Sequence, residues 1–252
     1  MKKFLRTSLI LVIVACLVLP LTACGKKEEE KNGSKSSKTD TKNDKTTSLT
    51  LSESYTKFTE AKGEMIENLS NVEDFTIAMT IFSLTMIDLL ALPATVCGLD
   101  EASARMTLSF LYSDIVYKDE GGGKYLLTYS SEGDEGDEEG KFIANYDERT
   151  DSAQMELYYN SVLALNLEYI KTEGGYAAQY FLYNEDGTYS LYKIIFDKKD
   201  IAIGMFEGDG TESSIYKGNA KFAKDWAESE AFYLEHVGGV TKSVIEGNEK
   251  TY

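Results

Sequence analysis

Leu163-Ala164-Leu165-Asn166-Leu167-Glu168-Tyr169 puts apolar side chains at positions 163, 165, 167 and 169, with Asn166 and Glu168 between them. A period of two marks a strand with one face buried and the other turned to water. The rhythm extends on both sides, from Asp114 to about position 207, and turn-forming residues interrupt it every eight to twelve positions. The interruptions are Gly121-Gly122-Gly123, an acidic stretch over 131–140, 148–151, Asn160-Ser161, Gly174-Gly175, 184–187, Lys198-Lys199 and 207–210. They predict strands near 114–118, 124–130, 141–147, 153–159, 162–171, 176–183, 188–197 and 200–207, joined as an antiparallel meander. Gly238-Gly239 adds a two-glycine hairpin between strands at 232–237 and 240–245. Ahead of it, 220–228 reads as a short helix carrying Trp226, and a single helix over 219–236 is the competing reading. The tail 246–252 is expected to be loose.

The strands are rich in rings. Tyr176 and Tyr180 share one face of their strand, while Phe181 and Tyr183 share the other; Tyr192, Ile194 and Phe196 line one face of the next strand and Lys193 interrupts its opposite face. Two readings compete. Tyrosines suit cross-strand packing on a wet sheet surface, and they also suit an aromatic binding face or a lined cavity. Tyr176, Tyr180, Phe181, Tyr183 and Tyr192 are therefore the candidate ligand-binding residues.

Before position 112 the period is helical. Thr50 and Glu53 have capping-box spacing, followed by Tyr55, Phe58, Ala61, Met65, Ile66 and Leu69, which predicts an amphipathic helix over 51–69. Ser70 and Glu73 repeat the box ahead of a nearly continuous apolar run, 72–92, that Pro93 stops. Its length and cap favour a buried core helix, and its β-branched residues keep a strand in play. Thr76, Thr80, Ser83, Thr85 and Asp88 argue against lipid on all sides of that run. Asp100 is an N-cap candidate for a third helix over 101–112.

The N-terminus decides where the chain lives. Lys2, Lys3 and Arg6 precede a thirteen-residue apolar run, 9–21, broken by Pro20, and the small residues Thr22-Ala23 follow. That is a secretory signal, too short for a permanent helical span of about 20 residues. Leu21-Thr22-Ala23-Cys24 resembles the lipobox of bacterial lipoproteins. The resemblance implies cleavage before Cys24, diacylglyceryl transfer to its sulfur with palmitate-like acyl chains, and a mature protein held on the extracytoplasmic face of a cell membrane, most simply of a Gram-positive-type cell. Two acyl chains supply the stable anchoring that one does not. The domains expected are a signal peptide (1–23), a lipidated cysteine with a polar tether (24–50), and one folded domain (51–252). The tether holds no large apolar residue up to Ser48 and cannot bury enough to fold.

Charge narrows the partners. Loss of the three basic residues of the signal takes the formal net charge from -16 to -19; the tether contributes +2 and 51–252 about -21. Such a surface keeps an exported domain soluble and excludes nucleic acid as a partner. Cys16 leaves with the signal and Cys24 is consumed by lipid, so Cys97 is the one remaining thiol, no intramolecular disulfide forms, and the core alone must carry stability. The chain lacks a Gly-x-Ser-x-Gly elbow, a phosphate loop and a His-Glu-x-x-His pair. His236 is the sole histidine and has no partner at catalytic spacing. Six carboxylates over 132–139 raise calcium binding against a plain solvated loop, but they miss the EF-hand order. No cofactor or metal is expected.

Helices followed by a long meander predict an α+β domain, with N-terminal helices packed on a large curved antiparallel sheet. The architecture over 51–245 resembles the open-barrel fold of periplasmic lipoprotein carriers, which implies an apolar hollow that 72–92 would cover. The leading expectation is a non-catalytic binding or scaffold module that meets an envelope protein. A carrier of lipid or another apolar ligand is the alternative, and an enzyme of unrecognised type stands third.

Overall fold

The computed structural model describes residues 49–69, 72–133, 136–184, 186–208, 212–218 and 223–252. Cys24, the signal and nearly all of the tether lie outside them, as do Ser70, Asp134 and Glu135.

Thr50 opens the first helix through a reciprocal box: its hydroxyl oxygen accepts from the Glu53 amide, and Glu53 accepts from the Thr50 amide at 2.9 Å. Helix α1, Leu51–Glu67, buries Leu51, Ser54, Tyr55, Phe58, Lys62 and Met65 on one face. Helix α2 spans Phe75–Leu90, so 72–92 is helix rather than strand, and a 3₁₀ turn with Pro93, Leu92–Val96, follows it. The expected box of Ser70 and Glu73 is replaced by Asp74, whose carboxylate accepts from the amides of Thr76 and Ile77. Helix α3, Glu101–Leu108, is capped by Asp100 and ends short of the expected 112.

The strands run β1 Ser113–Gly121, β2 Lys124–Gly133, β3 Gly136–Asp147, β4 Ser152–Tyr159, β5 Val162–Lys171, β6 Tyr176–Tyr183, β7 Tyr189–Phe196, β8 Ile201–Gly208, β9 Phe232–Val237, β10 Val240–Ile245 and β11 Asn248–Thr251. Each pairs antiparallel with its neighbour in sequence, giving one eleven-stranded sheet in chain order. Among the described residues the fold is α+β, three α-helices and then a curved antiparallel meander.

Four local readings change. The acidic stretch is not a ten-residue loop, because β2 and β3 stay paired through Ser131↔Glu138 to Gly133↔Gly136. Backbone pairing continues there although both faces are polar, which removes the alternation that sequence reading relies on. The tail is not loose, since β11 pairs with β10. Where a helix was expected over 220–228, the described residues hold only a 3₁₀ turn, Lys224–Trp226. Leu163 does not share the face of Leu165 in simple alternation, because the β4–β5 register shifts between Leu157↔Leu165 and Tyr158↔Leu163, leaving Leu163 half-buried beyond a bulge.

The core lies between α1 and the inner face of the sheet. Phe58 stacks on Tyr169 with ring centroids 4.7 Å apart and meets Tyr176 edge-on at 5.4 Å. Ser54 fastens the same helix: its hydroxyl donates to Asp151 at 2.5 Å and lies 2.8 Å from the Tyr169 hydroxyl, while Tyr146 also donates to Asp151. Rings from β5, β6 and β7 thus fill the middle of the inner face against α1.

Candidate functional site

Helix α2 is predominantly apolar, its polar residues being Thr76, Thr80, Ser83, Thr85 and Asp88. Ile77, Thr80, Leu84 and Ile87 point inward and are buried. The opposite face presents Phe75, Met79 and Phe82, which are 81, 39 and 45% exposed. The expected core helix therefore covers the sheet with one face and leaves a ring-bearing stripe uncovered. From Phe75 to Ile87 it carries no charged residue. Its hydroxyls turn back on the helix, with Thr80, Ser83 and Thr85 each donating to the carbonyl four residues earlier at 3.0, 2.9 and 3.0 Å.

Three contacts hold this helix in place. Near its C-terminal end, Asp88 receives Lys62 Nζ of α1 at 2.5 Å, and the same ammonium donates to the Tyr180 hydroxyl at 3.0 Å. Lys62 is 2% exposed and sits over the rings of Phe58 and Tyr180 at 5.4 and 5.2 Å. Burial lowers the Lys62 pKa and raises that of Asp88, each opposed by attraction to the other. In mid-helix, Ser83 adjoins Tyr192, whose pKa is raised by burial, an effect that the Ser83 hydroxyl partly offsets. At the N-terminus, Lys250 and the Tyr252 hydroxyl donate to Asp74 at 3.3 and 3.0 Å, so the chain end clasps the cap.

Partial desolvation raises the Asp74 pKa, but hydrogen bonds from Tyr252, Lys250 and the amides of Ile77 and Thr76 outweigh it and hold the carboxyl below its usual range. A lowered folded pKa stabilises the protein above the unfolded carboxylate range and loses that contribution as pH falls through the folded value. Asp74→Ala is expected to cost about 0.5–2 kcal/mol near neutral pH. In thermal melts at a series of pH values, its gap to the parent should narrow toward acid.

The five ring residues picked from sequence do not converge. Tyr176, Tyr180 and Tyr192 lie on the inner face within the helix-covered core. Phe181 and Tyr183 lie on the outer face, where both meet Tyr189 edge-on at 5.3 and 5.8 Å. The sheet separates the two sets. Tyr176 borders an open cleft of about 320 Å³ at the edge of α1, shared with Met65, Lys171, Gly175 and Lys198.

The outer face holds what the alternation concealed. Glu168, expected in water, is 2% exposed. One of its oxygens accepts from Gln154 Nε2 and Ser214 Oγ, both at 2.7 Å; the other accepts from Gln179 Nε2 and the Ile215 amide, both at 2.9 Å. Gln154, Glu168, Gln179, Lys193 and Gly204 are register partners across five strands, β4 to β8. The β8–β9 connection crosses this row as a strap. Glu212 accepts from Lys193 at 2.9 Å, and the Lys193 ammonium lies over Phe206 and Trp226. At Gly204 a Cβ would run into the Ala227 carbonyl, so only glycine lets the strap come so close.

None of this assembles a nucleophile and base. Ser54 is buried among Asp151 and Tyr169, and His236 Nδ1 lies 2.8 Å from Thr241 Oγ1 on the next strand. Cys97 is buried, and desolvation raises its thiol pKa far above the usual range, with the Asp119 charge adding to it. Among the described residues no group of three or more His, Cys, Asp or Glu is placed to hold a metal ion, and no helix is long and apolar enough to cross a membrane. Comparisons with protein-family models, with curated proteins and with solved structures find no match to this chain.

Proposed function

We propose that the protein is an extracytoplasmic lipoprotein, anchored through diacylglycerol on Cys24, whose folded domain is a non-catalytic binding or scaffold module of the cell envelope. The single observation that carries the module reading is the α2 stripe: Phe75, Met79 and Phe82 stand outward on a helix held firmly from behind. A fixed apolar surface on a protein as acidic as this one is a contact surface. The ring-filled inner face, where Phe58 stacks on Tyr169 and Tyr176, supports a packed core over a carrier's hollow.

The anchor is tested on the peptide that begins at residue 24. In the parent, mass spectrometry should find Cys24 at the mature N-terminus, carrying a diacylglycerol. In Cys24→Ala the processing and the modification should both disappear. An unmodified Cys24 in the parent, or an acylated Cys24→Ala protein, overturns the reading.

A further inference from the structure

We propose that the outward face of α2 lies flat on the membrane itself, with electrically neutral lipid headgroups and the upper acyl chains as its ligand. The inference deepens the anchored-module reading and relies on it for proximity to the bilayer.

Four observations favour lipid over a protein partner. The first is charge: α2 offers no charged side chain from Phe75 to Ile87, so its outward face enters a headgroup layer without desolvating an ion. The second is hydrogen bonding. Ser83 and Thr85 spend their donors on the helix's own carbonyls, which spares a helix entering a water-poor layer from carrying those groups unsatisfied.

The third is length. Sixteen residues make a helix of about 24 Å at 1.5 Å per residue, too short to cross a hydrocarbon core of about 30 Å but suited to lying along its surface. An interfacial helix buries its apolar side about 5–10 Å into the headgroup boundary, and projecting rings such as Phe75 and Phe82 suit that depth. The fourth is reach. A diacylglycerol on Cys24 would sit only 24 residues, 25–48, ahead of the folded domain in the sequence. That tether would hold the domain at a high effective concentration against the bilayer.

The surroundings of α2 also set its lipid preference. Glu73 just before α2 is exposed, and 51–252 as a whole carries about -21. Anionic headgroups repel such a domain. Neutral lipid is therefore favoured, and added salt should strengthen contact with anionic bilayers, the reverse of what a basic peripheral helix shows.

The experiment uses the mature acylated protein reconstituted in phosphatidylcholine vesicles containing a brominated phosphatidylcholine, which quenches nearby tryptophan. Phe75→Trp and Phe82→Trp are read against the parent, whose Trp226 lies on the opposite side of the sheet and provides the background. Phe75 is the most solvent-exposed of the stripe, so its replacement leaves packing intact; unchanged melting temperatures verify this for both variants.

Each variant's added emission should shift to the blue and be largely lost to the brominated lipid, while the Trp226 emission stays. With phosphatidylglycerol vesicles the loss should be smaller at 0.1 M salt and grow toward 1 M, as the screening length falls from about 10 to about 3 Å. Added emission that the brominated lipid leaves untouched would overturn the proposal. So would a crosslink from α2 to a second copy or to another protein under the same conditions, which would assign the face to a protein partner. The mass of the protein in the same sample reports acylation separately, so failure of the anchor and failure of the α2 contact are distinguishable.

Discussion

Lys62→Met is expected to destabilise the domain by about 3–5 kcal/mol at neutral pH, because it leaves Asp88 charged in a largely dry site with its partner gone. The ion pair itself is not the source of so large a value. Desolvation opposes charge on both groups, and mutual attraction only partly offsets it. The cost comes from removing one half. Lys62→Met/Asp88→Leu, which replaces the pair with apolar groups of similar volume, should therefore recover most of the loss, as apolar replacement of buried ion pairs often does.

The pH dependence gives a second check. In Lys62→Met the Asp88 pKa, already raised by burial, rises further once the ammonium is gone. A raised folded pKa contributes stability that is fully present below the unfolded value of about 4 and is lost as pH rises through the folded value. The deficit relative to the parent should thus be small in acid and grow toward neutrality in denaturant titrations at fixed pH. A constant deficit would show that Asp88 finds another partner or reaches water through its 23% exposed side.

Glu168→Ala is the second large effect. The substitution removes the carboxylate to which the half-buried Gln154 Nε2 and the buried Gln179 Nε2 donate, bonds to a charged group worth about 1.5–3 kcal/mol each, and leaves Gln179 Nε2 only the Ser213 carbonyl at 3.1 Å. It also releases Ser214 and the Ile215 amide, which tie the strap to the sheet. A global loss of about 2–6 kcal/mol is expected, accompanied by opening of the strap. Trypsin reports the opening directly, since Lys217 and Lys224 lie on the strap. Cleavage at both should appear in Glu168→Ala under conditions that leave the parent intact. Unchanged protection would mean that Trp226, Ala227 and Lys193 hold the strap without Glu168.

These two sites mark where the sequence stopped being readable. Strands announced themselves because Leu165, Leu167 and Tyr169 alternate with polar residues, and α1 did so because Thr50, Glu53, Tyr55 and Phe58 are local signals. Both depend on neighbours within a few residues. Glu168 occupies a position that alternation assigns to water, and only a segment 46 residues later, at Ser214, makes it interior. The ring residues failed to form one group for a related reason. Tyr176 and Tyr180 differ from Phe181 and Tyr183 only in parity, and parity identified the two faces without showing that helices cover one and a strap borders the other.

The α2 helix shows a different limit. Its length and stop at Pro93 were legible, but its apolar residues fall on every side, so the pattern marks no clear face to read. Which rings emerge was decided by Lys62, 26 positions before Asp88, and by Lys250, 176 positions after Asp74. The cap itself lay one position beyond the expected box, at Asp74. Cys24 stands apart: its reading rests on a short processing signal and owes nothing to the fold.

Every strand of the meander pairs only with the strands before and after it in the chain. Loop-closure entropy is therefore small for each pairing, and the sheet can zip hairpin by hairpin without bringing distant segments together. The helices reverse that economy. Ser54 must meet Tyr169 across 115 residues, and Lys62 must meet Tyr180 across 118. A chain exported unfolded would make its helices first and seat them last, after β5 and β6 have paired, and only then would the outward face of α2 be fixed in place.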